Sequence, residues 1–246
     1  MLGSAWLGPP WFQLAMLATA LVTTWELAAV LGRLGPMPGR GVLVVAVGLL
    51  CGAALWPDQS VLWLVALALL ILVPGFAWRR GRAGGAPAAR ALLVLVYPGL
   101  CLALAMRIPD GGNGFGDIVF LYGVLEANDS AALLTGRYLG KRKAWPHLSP
   151  GKTWAGCIGG LITAVLVGML LSFTLPEVTW PWGAVLGLGL GLAGQAADLA
   201  ASAIKRRAGV KDFARHIPTQ GGVLDIYDAF ILVTPFWWFL LLLLRG

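Results

Sequence analysis

Charge is scarce in this chain. Only 12% of its 246 residues are Asp, Glu, Lys or Arg, where a soluble domain carries roughly 25%. Acids are fewer than bases, 11 against 18, and there are two histidines. The three cysteines, Cys51, Cys101 and Cys157, lie far apart, in or beside apolar stretches and outside any Cys-x-x-Cys pattern. That spacing excludes a disulfide framework and a zinc site. No basic segment precedes the first apolar run, since Gly3–Pro10 holds neither Lys nor Arg. The first helix is therefore expected to be retained and not removed as a signal peptide. No internal repeat is visible, which weighs against an inverted-repeat transporter.

What fills the chain is hydrocarbon: 59% of residues are hydrophobic. The pattern predicts an all-α fold, a polytopic transmembrane bundle of about eight spans. These run near Phe12–Leu31, Val42–Trp56, Val61–Trp78, Ala91–Met106, Gly116–Thr135, Gly156–Phe173, Trp182–Ile204 and Ala229–Leu244. Most approach the ~20 residues that cross about 30 Å of hydrocarbon. With no water to satisfy the backbone, such runs must be helical. Sixteen of the 18 Lys and Arg fall in the loops after the first, third, fifth and seventh spans, leaving Arg107 and Arg245 on the other side. The positive-inside rule places those loops in the cytoplasm and both termini outside. The net charge of +7 then reads as loops lying against anionic headgroups, with no nucleic acid implied.

Two regions differ in character. Residues 1–110 read as a transmembrane scaffold, with Trp6, Trp11, Trp56, Trp63 and Trp78 near expected interfaces and a Gly- and Arg-rich loop, Arg79–Arg90, expected to be flexible. Glu26 is the one acid within the early spans, and an interfacial or helix-pairing role is favoured over a pocket role. Residues 111–246 read as a catalytic region with cytoplasmic basic loops. Span five ends in Glu126, Asn128 and Asp129, and a Gly- and Lys-rich loop follows. Ser149-Pro-Gly-Lys152-Thr153 opens span six, where Ser149 or Thr153 is placed to cap the helix and its free N–H groups to attract phosphate. Farther on come Asp198, Ser202, Lys205, Arg206, Lys211, Asp212, Gly221-Gly222, Asp225 and Asp228. Acids near a membrane are costly and point to function. Acids mixed with bases suggest a metal-and-phosphate site at a membrane surface.

These two blocks resemble the phosphatidate cytidylyltransferase (CDP-diacylglycerol synthase) family. The first block carries Asn128-Asp129, Gly136, Gly140-Lys141, Pro146, Ser149-Pro150, Lys152-Thr153 and Gly156. The second carries Ser202, Lys205-Arg206, Lys211-Asp212, Pro218, Gly221-Gly222, Asp225 and Asp228, with Asp198 four residues ahead of that serine. The resemblance covers about Leu125–Phe230. The chain departs from the pattern at Ala155 (family Glu), Gln220 (family His) and Ile226 (family Arg). Two outcomes stay open: an enzyme of altered substrate or rate, or a non-catalytic paralogue that binds anionic lipid or a partner protein.

The resemblance implies transfer of a cytidylyl group from CTP to phosphatidate or a related lipid phosphate, giving CDP-diacylglycerol and pyrophosphate. It implies Mg²⁺, with a second cation left open, a homodimer, and a prokaryotic cytoplasmic (inner) membrane. The expected metal ligands are Asp198, Asp225 and Asp228; Asp225 and Asp228, three apart, share a face if span eight begins as a helix. Lys205, Arg206, Lys211 and Asp212 complete the expected catalytic set. Asp129, Lys141, Ser149, Lys152, Thr153, Ser202, Gln220, Gly221 and Gly222 are expected to bind substrate. His147 and His216 are read as exposed polar residues, and no covalent nucleophile is required.

Overall fold

The computed structural model describes residues 1–80, 85–218 and 220–245, with the side chains of residues 76–80 left aside. The side chain of Trp78 and residues 81–84 of the loop expected to be flexible lie outside the described residues; Ala86–Arg90 of that loop is helical, as the first turn of α5.

After a short α1 (Leu2–Trp6) come α2 (Pro9–Leu31), α3 (Arg40–Ala54), α4 (Gln59–Arg80) and α5 (Ala86–Val94). A π-helical segment, Leu95–Leu100, carries α5 into α6 (Cys101–Ala105). Pro98 sits in that segment. A proline lacks its N–H and crowds the carbonyl four residues back, and a π turn absorbs both defects without ending the helix. The second half contains α7 (Gly114–Leu139), a two-stranded hairpin, α8 (Trp154–Leu171), α9 (Trp180–Arg207) and α10 (Val223–Arg245).

Among the described residues six helices are long and apolar enough to cross a membrane, not eight. The second and third expected spans are the difference. α3 has 15 residues, about 22 Å at 1.5 Å per residue; α4 has 22 residues, of which Gln59–Gly75 is the apolar part among those fully described. The fourth span, which looked short in sequence, runs over Ala86–Asp110. The all-α expectation holds, with one small hairpin added. β1 (Lys143–Trp145) pairs antiparallel with β2 (Ser149–Thr153), with Lys143 opposite Thr153 and Trp145 opposite Ser149. This hairpin lies in a polar loop, where strands do not face the demand for internal hydrogen bonding that hydrocarbon imposes.

Small residues draw the second-half helices together. On α8, Gly156, Gly160, Ala164 and Gly168 recur every fourth position and are buried, while Ile158, Ile162, Leu166 and Leu170 on another face are 56–69% exposed. A Cβ on Gly160 would stand 2.8 Å from the Asn128 carbonyl on α7, and one on Gly191 2.8 Å from Ala164 Cβ. Lipid tails are as apolar as leucine, so close van der Waals contact, and not burial of Leu and Ile, drives such association. The bulky side chains are left to face lipid.

Hydrogen bonds show which loops share an end. Arg90 donates to the carbonyls of Leu34 and Pro36, Arg206 to that of Leu148, and the start of α10 donates to Glu26 near the end of α2. The four basic loops therefore lie at one end. At the opposite end Arg245 pairs with Asp117 through two 2.7 Å bonds and with Glu177 at 3.0 Å. Exposed Trp6, Trp11, Trp56, Trp180 and Trp182 cluster there as an aromatic belt.

Candidate active site

A cavity of about 730 Å³ opens at the basic end, between α7, α8, α9, the start of α10 and the hairpin. Each wall follows from helical spacing. On α9, Gln195, Asp198, Ser202 and Lys205 are separated by three, four and three residues, so they share one face. On α7, Asp129, Ala132 and Gly136, with Gly140 just past its end, form another wall. Gly136 and Gly140 leave room for Thr153, since a Cβ on Gly136 would lie 3.0 Å from its Oγ1. Thr153, at the junction of β2 and α8, accepts the Gly156 N–H at 3.1 Å and caps the helix. Ser149 lies within β2 and does not cap it.

Opposite charges are interleaved on the cavity wall. Lys152 Nζ lies 2.8 Å from Asp198 Oδ2. Lys205 Nζ lies 2.9 Å from Asp225 Oδ1 and 3.8 Å from Asp228 Oδ2. Asp225 also accepts backbone N–H groups of Phe213 at 2.8 Å and Gly222 at 2.9 Å through its other oxygen. The carboxylates of Asp198 and Asp228 come within hydrogen-bonding reach of each other. Asp228 is held in turn by the Ala229 N–H at 2.7 Å. Behind the wall, Gln195 Nε2 donates to Asn128 Oδ1 at 3.2 Å and to the Cys157 carbonyl at 2.9 Å, and Asn128 donates to Asp129 at 3.0 Å. This buried amide relay fastens α7, α8 and α9 at the height of Asp129 and Asp198.

Of the residues expected from sequence, the cavity gathers Asp129, Lys152, Thr153, Asp198, Ser202, Lys205, Asp225 and Asp228. It does not gather Arg206, Lys211, Asp212, Lys141, Ser149, Gln220, Gly221 or Gly222. Arg206 is exposed and spends its guanidinium on the carbonyls of Leu148 and Val210. Lys141, Lys211 and Gln220 are exposed, as are His147 and His216. The two glycines make room for carboxylates of the protein itself. Gly221 has φ +93°, and a Cβ there would stand 2.7 Å from Asp225; a Cβ on Gly222 would meet Glu26 at 2.7 Å. Among the described residues no three His, Cys, Asp or Glu side chains form a group that could hold one metal ion. The expected trio of Asp198, Asp225 and Asp228 is instead distributed over two lysines.

Gln195 and Lys143 also line the cavity, as does Arg137, which the sequence offered for a phosphate. The three-residue step from Gln195 to Asp198 was a signal for the first. Nothing local marks Lys143, which reaches the cavity only because the hairpin folds over it.

Fold and site together define an integral membrane protein with a large cavity, lined by acids and lysines, at the basic end of its helices. The chain belongs to the cytidylyltransferase family, whose model matches residues 1–244. It is 42% identical over 171 residues to the phosphatidate cytidylyltransferase of Brucella suis, covering 69% of this chain and 60% of that protein. The enzyme of the same name from Bacillus subtilis is 36% identical over 154 residues, 61% of this chain and 57% of the relative. That from Staphylococcus saprophyticus is 28% identical over 225 residues, 91% of this chain and 85% of the relative. The chain thus spans about 60% of the length of the Brucella and Bacillus relatives it matches.

Proposed function

We propose that this protein transfers a cytidylyl group from CTP to phosphatidate, giving CDP-diacylglycerol and pyrophosphate. The observation that carries the reading is the convergence of two sequence blocks, one around Asp129–Thr153 and one around Asp198–Asp228, on a single cavity. The activity named for its relatives agrees with that chemistry. A phosphate oxygen of the lipid attacks the α-phosphorus of CTP; the new P–O bond forms as the bond to the bridging oxygen of pyrophosphate breaks. The nucleophile is already anionic, so no base is needed and positioning with electrostatic stabilisation carries the step.

Lys152 and Lys205 hold the cavity carboxylates until phosphates arrive, and can then turn their charge to the substrates. Arg137 and Lys143 at the wall add positive charge for the triphosphate. Mg²⁺ binds through one or two carboxylates and completes its shell with water and substrate phosphates. The adjoining Asp198 and Asp228 fit that demand without a three-carboxylate cage. When bound there, the ion supplies neutralisation of charge on the departing pyrophosphate. The basic end faces the cytoplasm by the positive-inside rule, which brings CTP and the lipid headgroup to the same surface; a prokaryotic cytoplasmic membrane suits this arrangement. Residues 1–110 serve as the scaffold against which the catalytic helices pack, and the family suggests a homodimer.

A second reading, a weakly active paralogue that binds anionic lipid, draws on one observation: apolar Ile226 lines the cavity where the family pattern has arginine. The test is purified protein in detergent with labelled CTP, phosphatidate and Mg²⁺, assayed for CDP-lipid. Product is expected from the wild type, and Asp225→Asn and Lys205→Ala are expected to lose it. No product from folded protein with any lipid phosphate favours the second reading, and product surviving Asp225→Asn removes that residue from the chemistry.

A further inference from the structure

Glu26 lies on α2, 197 positions ahead of the backbone it touches, and is 2% exposed. It does not line the cavity. Its Oε1 accepts the Val223 N–H at 3.0 Å and its Oε2 the Leu224 N–H at 2.8 Å. These are the first two residues of α10, whose N–H groups have no partner within the helix. A capping side chain at the preceding residue usually takes such a bond, but that residue is Gly222. A Cβ there would approach the Glu26 carboxylate to 2.7 Å. Glu26 therefore occupies the room a capping side chain would need.

The other half of the device is Asp225. As the third helical residue, it accepts the Gly222 N–H at 2.9 Å, which is the return bond of a capping box. The box is closed by a glutamate from another helix in place of the missing side chain. The consequence reaches the cavity. With its Oδ2 tied to Gly222 and Phe213, Asp225 presents Oδ1 to Lys205, and Asp228 follows one turn later. A negative charge at a helix N-terminus is favourable in itself, and among the described residues Glu26 makes no ion pair that would compete for it.

We infer that Glu26 is a positioning residue for the cytidylyl transfer: it touches no substrate, but sets the start of α10 and so the aim of Asp225 and Asp228. This rests on the function proposed above. The test uses the full chain in detergent, with turnover measured on CTP and phosphatidate and hydrogen exchange followed at Val223 and Leu224. Glu26→Gln is expected to lower kcat about tenfold, the equivalent of a lost cap, with the KM for CTP moving less than about twofold, and to speed exchange at both amides. Gly222→Ser alone is expected to be impaired, because its side chain collides with Glu26. Glu26→Ala combined with Gly222→Ser is expected to recover at least about half of wild-type kcat, since the serine hydroxyl caps the space vacated.

A double variant no better than Glu26→Ala, wild-type kcat in Glu26→Gln, or an effect confined to KM overturns the inference. If Glu26→Ala alone does not fold, recovery of folded, active protein by Gly222→Ser supports it, and no recovery overturns it. If the wild type makes no product, the proposed function falls; unchanged exchange at Val223 and Leu224 in Glu26→Gln would independently overturn the cap.

Discussion

Replacing Asp228 with asparagine should stabilise the fold and cost activity. Asp228 is 8% exposed, and its Oδ2 lies 3.8 Å from Lys205 Nζ. At an effective dielectric of about 20 that attraction amounts to about 4 kcal/mol. The Asp198 carboxylate stands beside it, and repulsion between the two like charges opposes that attraction. Burial strips the Asp228 charge of hydration, and with the Asp198 repulsion this outweighs the attraction to Lys205. Asparagine retains the oxygen that accepts the 2.7 Å bond from Ala229 N–H. A gain of about 1 kcal/mol raises Tm by about 2–4 °C for a chain of this size. Loss of an electrostatic group from the reacting centre should lower kcat by about 100-fold or more. Thermal unfolding in detergent, paired with CDP-lipid formation by the same preparation, reads both effects. A Tm that falls together with activity would refute the argument by making Asp228 a structural partner of Lys205. A Tm that rises with activity intact would remove Asp228 from the site.

Two further substitutions test the packing that supports the cavity. Gly187→Leu drives a side chain into the Ala164 carbonyl across the α8–α9 contact and should cost about 1–3 kcal/mol or more, read as loss of monodisperse protein by size exclusion; Ile162→Ala, on the lipid-facing side of α8, should behave as wild type. Arg245→Ala strips the two 2.7 Å bonds from Asp117, which has no exposed surface. It should cost about 3–5 kcal/mol, the penalty for orphaning a buried charge, while turnover per folded molecule is unchanged; Asp117→Asn added to it should return part of the lost stability.

Much of the cavity's lining was legible because its residues obey local rules. Asp198, Ser202 and Lys205 share a face by helical spacing, Asp225 and Asp228 lie three apart at a helix start, and Thr153 caps the helix it precedes. That other motif residues do not line the cavity has physical causes too. Gly221-Gly222 reads as a phosphate cradle, but each glycine yields space to a carboxylate, one from the start of α10 and one from α2. Arg206 and Lys211 sit among the motif residues in sequence yet point out of the cavity, since adjacent positions on a helix or loop do not share a face. The small-residue series on α8 recurs every four positions, and its partner surface is set only by packing against α7 and α9. The span count departs at α3, where apolar composition continues but helical length falls short.

Insertion into a membrane is a local matter. Each apolar segment carries its own transfer free energy and each loop its own charge, so composition alone established an integral membrane protein with its bases gathered at one end. The family blocks likewise stand in the sequence as written. Which faces meet is a different kind of information. It depends on contacts between residues far apart in the chain, such as Glu26 with the start of α10, Gln195 with Asn128, and Lys152 with Asp198. Only close packing of small residues between helices brings those partners within hydrogen-bonding distance, and so only the tertiary structure decided which acids face which lysines and what holds them there.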